Sequence, residues 1–195
     1  MKNKTLFLCT LICAFFCITE MQAQLEKGNS LLNIGLGMNS YYTSSSGFST
    51  TLPPLEGSFE VMTSEKFSLG AFIGAYGAKY ENEIKSMSIV IDTEIKYSYL
   101  NFGGLANYYL VNDESWNIYV GGRLGYVSSS AKISHSSNVP LSDDETFLNG
   151  AGATASGFLF GANLGTRYHI SKSFALNAEL GYGIALLKVG ITFKL

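Results

Sequence analysis

Residues 186–195, at the end of the sequence, read LLKVGITFKL and alternate strictly between two kinds of side chain. One face of this segment is apolar and consists of Leu187, Val189, Ile191, Phe193 and Leu195. The opposite face carries Lys188, Gly190, Thr192 and Lys194. A period of two residues is typical of a β-strand whose two faces meet different surroundings. The apolar face therefore needs a covering, and the rest of the sequence indicates what that covering is.

The first 23 residues have the organisation of an export signal. A basic start, MKNK, precedes the apolar run TLFLCTLICAFFCI, and a short polar stretch ends at Ala23. A run of this kind, followed by a small residue, is typical of a cleaved secretory signal peptide. We predict that residues 1–23 are the signal peptide and that residues 24–195 form one exported domain. All 3 cysteines lie in the signal segment, so the domain is predicted to have no disulfide and no cysteine metal site.

Charge and hydropathy narrow the class of the exported domain. The sequence is 47% hydrophobic and only 14% charged, yet no run after residue 23 reaches the ~20 apolar residues of a membrane-spanning helix. The formal net charge of -2 offers no basic surface, so we expect no binding of nucleic acid. The apolar residues alternate instead, as in transmembrane β-strands, which need only ~9–11 residues to cross the bilayer.

Alternation of this kind occurs in eight segments. They are residues 30–41, 54–62, 67–80, 97–110, 116–127, 157–169, 174–183 and 186–195. The connections TSEK, VNDES and ISKS are short, whereas those at 43–53, 81–96 and 128–156 are long and polar. An even strand number with alternating short and long connections is the pattern of outer-membrane barrels. The predicted fold is all-β, an eight-stranded antiparallel up-and-down transmembrane β-barrel, and lipid is the covering of the apolar face.

Tight turns would bring apolar residues together in pairs and so predict the register of three hairpins. The predicted pairs include Tyr182 with Leu187, Leu180 with Val189, Val61 with Phe67 and Ala106 with Ile118. Hydrocarbon leaves no backbone group unpaired, so the last strand must also pair with another strand. The segment 30–41 is the predicted partner, since its apolar residues share one face.

The second face of the predicted strands is polar and would line the lumen. Its polar residues include Glu60, Asn101, Arg123, Arg167, Glu179 and Lys188. A barrel of eight strands is only wide enough to be filled by its own side chains. We therefore expect paired charges in a closed lumen, and a narrow or gated porin-like path is the alternative.

Together with the eight segments, the stretches GGRLGYV, AELGYGI and VGITFKL make the sequence similar to the small outer-membrane β-barrel proteins, whose members include the OmpX and OmpA barrels. The final residue departs from the aromatic residue typical of that family, because Leu195 follows Phe193 by two positions. The resemblance implies an outer-membrane monomer in contact with lipid and lipopolysaccharide, assembled by the barrel-insertion machinery. It also implies a structural or surface-interaction role, without a cofactor.

The longest connection, residues 128–156, is the predicted site for an unknown extracellular ligand, because binding residues concentrate in long loops on a rigid scaffold. Its candidate residues are His135, Asp143, Asp144 and Glu145. The three acids are consecutive, and consecutive residues rarely converge on one cation. We therefore interpret them as a solvated cluster and predict no metal site.

A catalytic alternative starts from His169, Ser171 and Glu179, which are similar to the His-x-Ser pair and acid of the lipid A deacylases. The predicted topology places YHISKS at a short periplasmic turn, away from the outer leaflet. We therefore predict that the protein is not an enzyme.

Overall fold

The computed structural model describes residues 24–38, 47–86, 89–137 and 152–195, except for the side chains of residues 82–86, 89–92 and 135–137. Eight strands run through these residues. They are β1 (Ser30–Met38), β2 (Phe48–Ser64), β3 (Phe67–Ser86), β4 (Ile89–Asn112), β5 (Trp116–Ser137), β6 (Gly152–Ser171), β7 (Phe174–Tyr182) and β8 (Leu187–Lys194). Each strand pairs antiparallel with its neighbours in sequence, and one closed barrel results. The predicted all-β eight-stranded barrel is confirmed.

The barrel is closed by the pairing of β1 with β8, as predicted. Ile34 lies beside Ile191 and Leu32 lies beside Phe193, so the apolar residues of both strands share the outer face. Asn33 lies beside Thr192 on the inner face. No helix in the described part of the chain is long and apolar enough to cross a membrane.

The three predicted hairpin registers are wrong, but each is wrong by an even number of residues. Leu180 lies opposite Leu187 instead of Val189. The other two observed pairs are Val61 with Leu69 and Ala106 with Gly122. A shift by an even number keeps every side chain on its predicted face, so the division into outer and inner residues remains as predicted.

The cause of the shift is clearest between β7 and β8. Residues 183–186 connect the strands, and Gly183 has a φ of +132°. The neighbouring Ile184 turns its side chain into the barrel, where it is buried. Ile184 and Ala185 are unsuited to a two-residue turn, which prefers glycine or asparagine. The wider connection therefore moves the start of pairing by two residues.

The long outer connections are also different from the prediction, because most of them are strand. Strands β3, β4, β5 and β6 have 20, 24, 22 and 20 residues, about twice the ~9–11 needed to span a bilayer. The pairing of β3 with β4 extends to Ser86 and Ile89, and that of β5 with β6 extends to Lys132 and Gly152. We call residues 77–86, 89–98, 130–137 and 152–154 the projecting sheet.

The outside of the barrel wall is apolar and carries aromatic residues near both ends. Phe158 is 79% exposed and Ile73 is 57% exposed. Near the short turns, the rings of Trp116 and Tyr168 lie 4.8 Å apart. Aromatic residues favour the two membrane interfaces, so the wall between these bands has the character of a lipid-facing surface.

Candidate functional site

The lumen contains two layers of charged residues, and the layer nearer the long hairpins has four members. Arg123 lies 2.6 Å from Glu179, and Lys188 lies 2.9 Å from the same carboxylate. Both cations also pair with Glu56. Tyr119 donates a further hydrogen bond to Glu179, with an O–O distance of 2.8 Å. Two acids thus balance two bases, and we call these four residues the charge quartet.

Strand pairing and one small residue position the quartet. Glu179 and Lys188 are direct neighbours on β7 and β8, whereas Glu56 and Arg123 come from β2 and β5. Gly35 lies under the lysine, and a Cβ at this position would approach Lys188 Cδ to 2.8 Å. A larger residue at position 35 would therefore displace the Lys188 side chain from the quartet.

The second layer, nearer the short turns, is the pair of Arg167 and Glu60, whose Nη2 and Oε1 atoms lie 2.9 Å apart. Arg167 is 0% exposed and donates to three further neighbours. They are Thr192 at 3.1 Å, Tyr109 at 3.0 Å and Asn33 at 3.2 Å. Every side of the guanidinium is therefore occupied by a protein group.

The carboxylate of Glu60 is equally well satisfied. It accepts hydrogen bonds from Ser68 at 2.6 Å and from Asn107 and Asn33 at 2.8 Å each. A buried charge is tolerated only when it is paired and hydrogen-bonded. The Glu60–Arg167 pair meets both conditions, so its geometry is that of a structural element of the lumen.

Tyrosine rings connect the two layers. The Arg167 guanidinium carbon lies 5.1 Å from the centre of the Tyr119 ring and 5.9 Å from that of Tyr109. Such distances favour cation–π attraction. Because Tyr119 also bonds Glu179 of the quartet, the polar interior is continuous from one layer to the other.

Apolar side chains form two buried clusters inside the barrel, one on either side of the two charged layers along the barrel. At the short-turn end, Leu25 is 0% exposed and packs in a cluster with Leu31, Met62, Tyr109 and Tyr119. The backbone of Leu25 is fixed by Asn112, which accepts from its N–H at 3.1 Å and donates to its C=O at 2.8 Å. Toward the other end, Ile184 packs in a second cluster, whose members are Phe72, Tyr76, Leu105 and Leu159.

A small cavity of about 20 Å³ lies beside the charge quartet. All four quartet residues line it, together with Asn163 and Ile184. Neither side-chain polar atom of Asn163 has a hydrogen-bond partner in the described part of the chain. A volume of this size holds about one water molecule, so the cavity suits a bridging water and is too small for a solute.

The structure thus brings five of the six predicted lumen residues into two ion-pair layers. Asn101 is buried elsewhere in the lumen, and its Nδ2 atom has no partner among the described residues. Glu56 was not among the predicted lumen residues, although it precedes Glu60 by four positions and thus shares its face. Leu25 was not predicted either, because it lies before the first alternating segment and belongs to no periodic pattern.

Of the four outer-loop candidates, one lies within the described residues. His135 belongs to β5 and not to a loop, and its side chain is among those that are not described. Asp143, Asp144 and Glu145 lie outside the described residues. Val189 in β8 and Leu195, which follows β8, are exposed, and the Phe193 ring lies 5.5 Å from that of Phe174.

The residues compared with deacylases have separate partners. His169 Nε2 lies 2.6 Å from Asn117 Oδ1, and the histidine side chain is buried near the short turns. Glu179 is bound by Arg123, Lys188 and Tyr119 instead. Glu179 therefore belongs to the charge quartet, whereas His169 is bound to Asn117 near the short turns.

Family comparison agrees with this architecture. The family described as "Outer membrane protein beta-barrel domain" matches residues 9–190 of the chain. The chain belongs to this family. The resemblance to small outer-membrane barrels is confirmed, and the outer membrane is the location of the barrel. Outer-membrane barrels have short periplasmic turns and longer extracellular connections, so we expect the projecting sheet to lie outside the cell and Leu25 to lie at the periplasmic end.

Solved structures of small outer-membrane proteins are similar to this chain at low sequence identity. OprG from Pseudomonas aeruginosa is 13% identical, with a TM-score of 0.51, and the match covers 90% of this chain and 99% of OprG. The N-terminal β-barrel domain of OprF from the same organism is 12% identical, with a TM-score of 0.48 and coverages of 88% and 100%. Ail from Yersinia pestis, in complex with the heparin analogue sucrose octasulfate, is 16% identical, with a TM-score of 0.47 and coverages of 86% and 96%. Among curated proteins, none matches the sequence.

Proposed function

We propose that this barrel is a non-conducting outer-membrane protein that binds an extracellular protein ligand through its projecting sheet. The main support for this proposal is the length of strands β3–β6, which extend well beyond the ~9–11 residues that a bilayer requires. Membrane anchoring alone gives no reason for such an extension. A paired sheet outside the cell is a rigid platform, and rigid scaffolds carry binding surfaces.

One edge of the projecting sheet supports a protein ligand. Pairing between β6 and β7 ends at Ala162 and Tyr182. In the described ranges, no strand continues beside residues 152–161 on that side. An unpaired edge offers backbone donors and acceptors that can pair with an extended segment of another chain. We therefore expect the ligand to contribute such a segment.

The filled lumen supports the non-conducting part of the proposal. The charge quartet, the Glu60–Arg167 pair and the two apolar clusters all lie in the interior, and their side chains pack against one another. Side chains of an eight-stranded barrel are sufficient to fill its interior. A solute would have to break several buried ion pairs in order to pass.

Shortening the β5–β6 hairpin tests the binding role. Residues 128–156 are replaced by Asn-Gly, which joins the cross-strand neighbours Val127 and Gly157 and removes the part of the edge that lies beyond the aromatic residues Tyr126 and Phe158. We expect the barrel to fold, because the entropic cost of loop closure depends weakly on length. Binding of cells to a panel of purified serum and extracellular-matrix proteins should fall to the level of cells without the barrel.

The matched control changes the short turn between β6 and β7, at the opposite end of the barrel. In this variant, Lys172 and Ser173 are replaced by Asn-Gly. This variant should bind the panel as strongly as the wild type. Boiled and unboiled samples on a detergent gel show whether each variant is folded. Undiminished binding by a folded barrel with the shortened hairpin would reject the proposal.

Planar-bilayer recordings address the alternative, a narrow or gated porin-like barrel. We expect the purified wild-type protein to give no conductance steps above those of the detergent buffer, because ion pairs and apolar clusters fill the lumen. A porin of known conductance serves as the positive control. Reproducible steps from the wild-type protein that are absent from the detergent buffer would establish the transport alternative.

A further inference from the structure

On the outer surface of β4–β6, side chains change in type with distance from the membrane. The first row is aromatic: Phe102, Tyr126 and Phe158 are neighbours on the three strands. Their rings lie in contact, with centroid distances of 6.0 and 6.3 Å. Aromatic side chains of this kind favour the level of the lipid headgroups. This row therefore marks the outer interface of the membrane.

Further from the membrane, the aromatic row is followed by two rows of mostly small side chains. Five of these side chains carry a hydroxyl group. These five are Ser98, Ser128, Ser130, Thr154 and Ser156. Four of the five are exposed, and Ser130 is partly exposed. They stand on the same face as Phe102 and Tyr126, because each is separated from the aromatic row by an even number of residues. The surface beyond the membrane interface is therefore shallow and rich in hydroxyl groups.

The next row consists of three lysines. Lys79 is the direct cross-strand neighbour of Lys96, and Lys96 is the direct neighbour of Lys132. The Lys96 side chain is 60% exposed and that of Lys79 is 31% exposed. Like charges directly opposite each other destabilise a sheet. Two consecutive pairs of this kind concentrate positive charge along one row of the outer surface.

Acidic residues compensate only part of this charge, and they lie on the side away from the membrane. Glu81 lies 2.7 Å from Lys79, and Glu94 lies 2.8 Å from Lys96. The hydrogen bond to Glu81 raises the pKa of Lys79, so this lysine stays charged at neutral pH. Lys132 forms no ion pair within the described ranges. Among the described side chains, one positive charge of the row therefore has no acidic partner.

The lysine row lies within reach of lipid headgroups. Lys96 precedes Phe102 by six residues, which is roughly 20 Å along a strand at ~3.3 Å per residue. A strand tilt of about 45° reduces this distance to a height of roughly 14 Å above the aromatic row. Long lysine side chains can bend toward the interface. A large saccharide headgroup would span the remaining distance.

We propose that the five hydroxyl residues and three lysines, together the hydroxyl–lysine face, bind the phosphorylated saccharide headgroup of an outer-leaflet lipid. The lysines pair with phosphates and the hydroxyls hydrogen-bond to the sugar. Lipopolysaccharide, whose lipid A carries phosphorylated glucosamine, has this chemistry. The inference is independent of the protein ligand proposed for the sheet edge, because it concerns the broad face of the sheet.

The test compares two triple variants with the same change in charge. One is Lys79→Gln/Lys96→Gln/Lys132→Gln, and the control is Lys27→Gln/Lys66→Gln/Lys172→Gln, which removes three exposed lysines at the periplasmic end. Each folded protein is titrated in detergent micelles with bisphosphorylated lipid A and with the fully dephosphorylated lipid. Native mass spectrometry measures the bound fraction.

We expect the outer triple variant to bind lipid A about tenfold more weakly or worse, because basic residues near a membrane add attraction for anionic headgroups. The control variant should bind like the wild type, and so should a variant with arginine at the three outer positions. The wild type should bind the dephosphorylated lipid no better than the outer triple variant binds lipid A. If the triple variant does not fold, Lys132→Gln alone should show a several-fold loss.

Three results would overturn the proposal. The outer variants could bind lipid A as tightly as the wild type. Both triple variants could lose the same affinity, which would indicate a response to net charge alone. Inorganic phosphate could also displace lipid A completely at a concentration that matches its phosphate content, which would assign the face to a soluble anion.

Discussion

Replacing Arg167 with alanine should lower the free energy of unfolding by about 3–5 kcal/mol, which is the typical cost of removing one partner from a buried ion pair. The Glu60 carboxylate would stay buried, with its hydrogen bonds from Ser68, Asn107 and Asn33 but without its cation. The hydroxyl of Tyr109 would also lose a hydrogen-bond donor. Urea titration of the barrel in phospholipid bilayers, read by the gel shift of folded protein, measures the loss.

A double variant separates the loss of charge balance from the loss of packing. In Glu60→Gln/Arg167→Met, both charges disappear and the long apolar side chain occupies part of the guanidinium volume. Neutral replacement of a buried pair is often close to neutral in stability, so the double variant should be clearly more stable than Arg167→Ala. Lys66→Ala, at an exposed turn, is the control and should change little. A fully stable Arg167→Ala barrel would contradict the buried pair.

The second large effect is expected on the lipid-facing wall. Ile191 lies between Ile34 on β1 and Leu176 on β7, and all three side chains share the outer face. An arginine near the bilayer midplane costs roughly 2–4 kcal/mol. Ile191→Arg should therefore reduce the free energy of unfolding by about this amount, or prevent insertion, as measured by the heat-modifiable fraction after refolding into vesicles.

The control lies one residue further along the same strand. Thr192 faces the lumen, where its hydroxyl contacts Arg167, Asn177 and Asn33. Thr192→Ser keeps this hydroxyl and should fold like the wild type. If both substitutions reduced folding equally, the assignment of outer and inner faces in β8 would be rejected.

The fold could be predicted from the sequence because the outer and inner faces of the barrel wall have different surroundings. Lipid outside and polar side chains inside produce the alternation that is visible in residues 186–195 and 30–41. The same alternation predicted the inner faces of Glu60, Arg167 and Lys188. The signal peptide of residues 1–23 lies outside the described residues and stays a prediction.

The register could not be predicted, because a slip by two residues leaves every side chain on the same face. Val61 can meet either Phe67 or Leu69 in an apolar pair, and only the turn geometry decides. The projecting sheet escaped prediction for a related reason. Beyond the membrane both faces of a hairpin can be polar, as at the consecutive residues Ser128, Ser129 and Ser130, so the alternation that indicates a strand disappears.

The partners within the lumen were also beyond the reach of sequence. Arg167 and Glu60 are 107 positions apart, and Arg123 and Glu56 are 67 apart. These side chains meet across the interior, not along a shared hairpin, so strand pairing does not reveal them. Leu25 gave no signal because a single buried leucine before a strand has no periodicity.

The surroundings of Arg167 have a consequence for the order of assembly. Its partners come from both ends of the chain, since Asn33 belongs to β1, Glu60 to β2 and Thr192 to β8. No isolated hairpin contains this set, so a half-built sheet holds the guanidinium without its full complement of acceptors. Contacts of such long sequence separation form late in folding. The ring therefore gains much of its internal stability only when β8 meets β1, which makes closure an all-or-none event and leaves incomplete sheets free to separate.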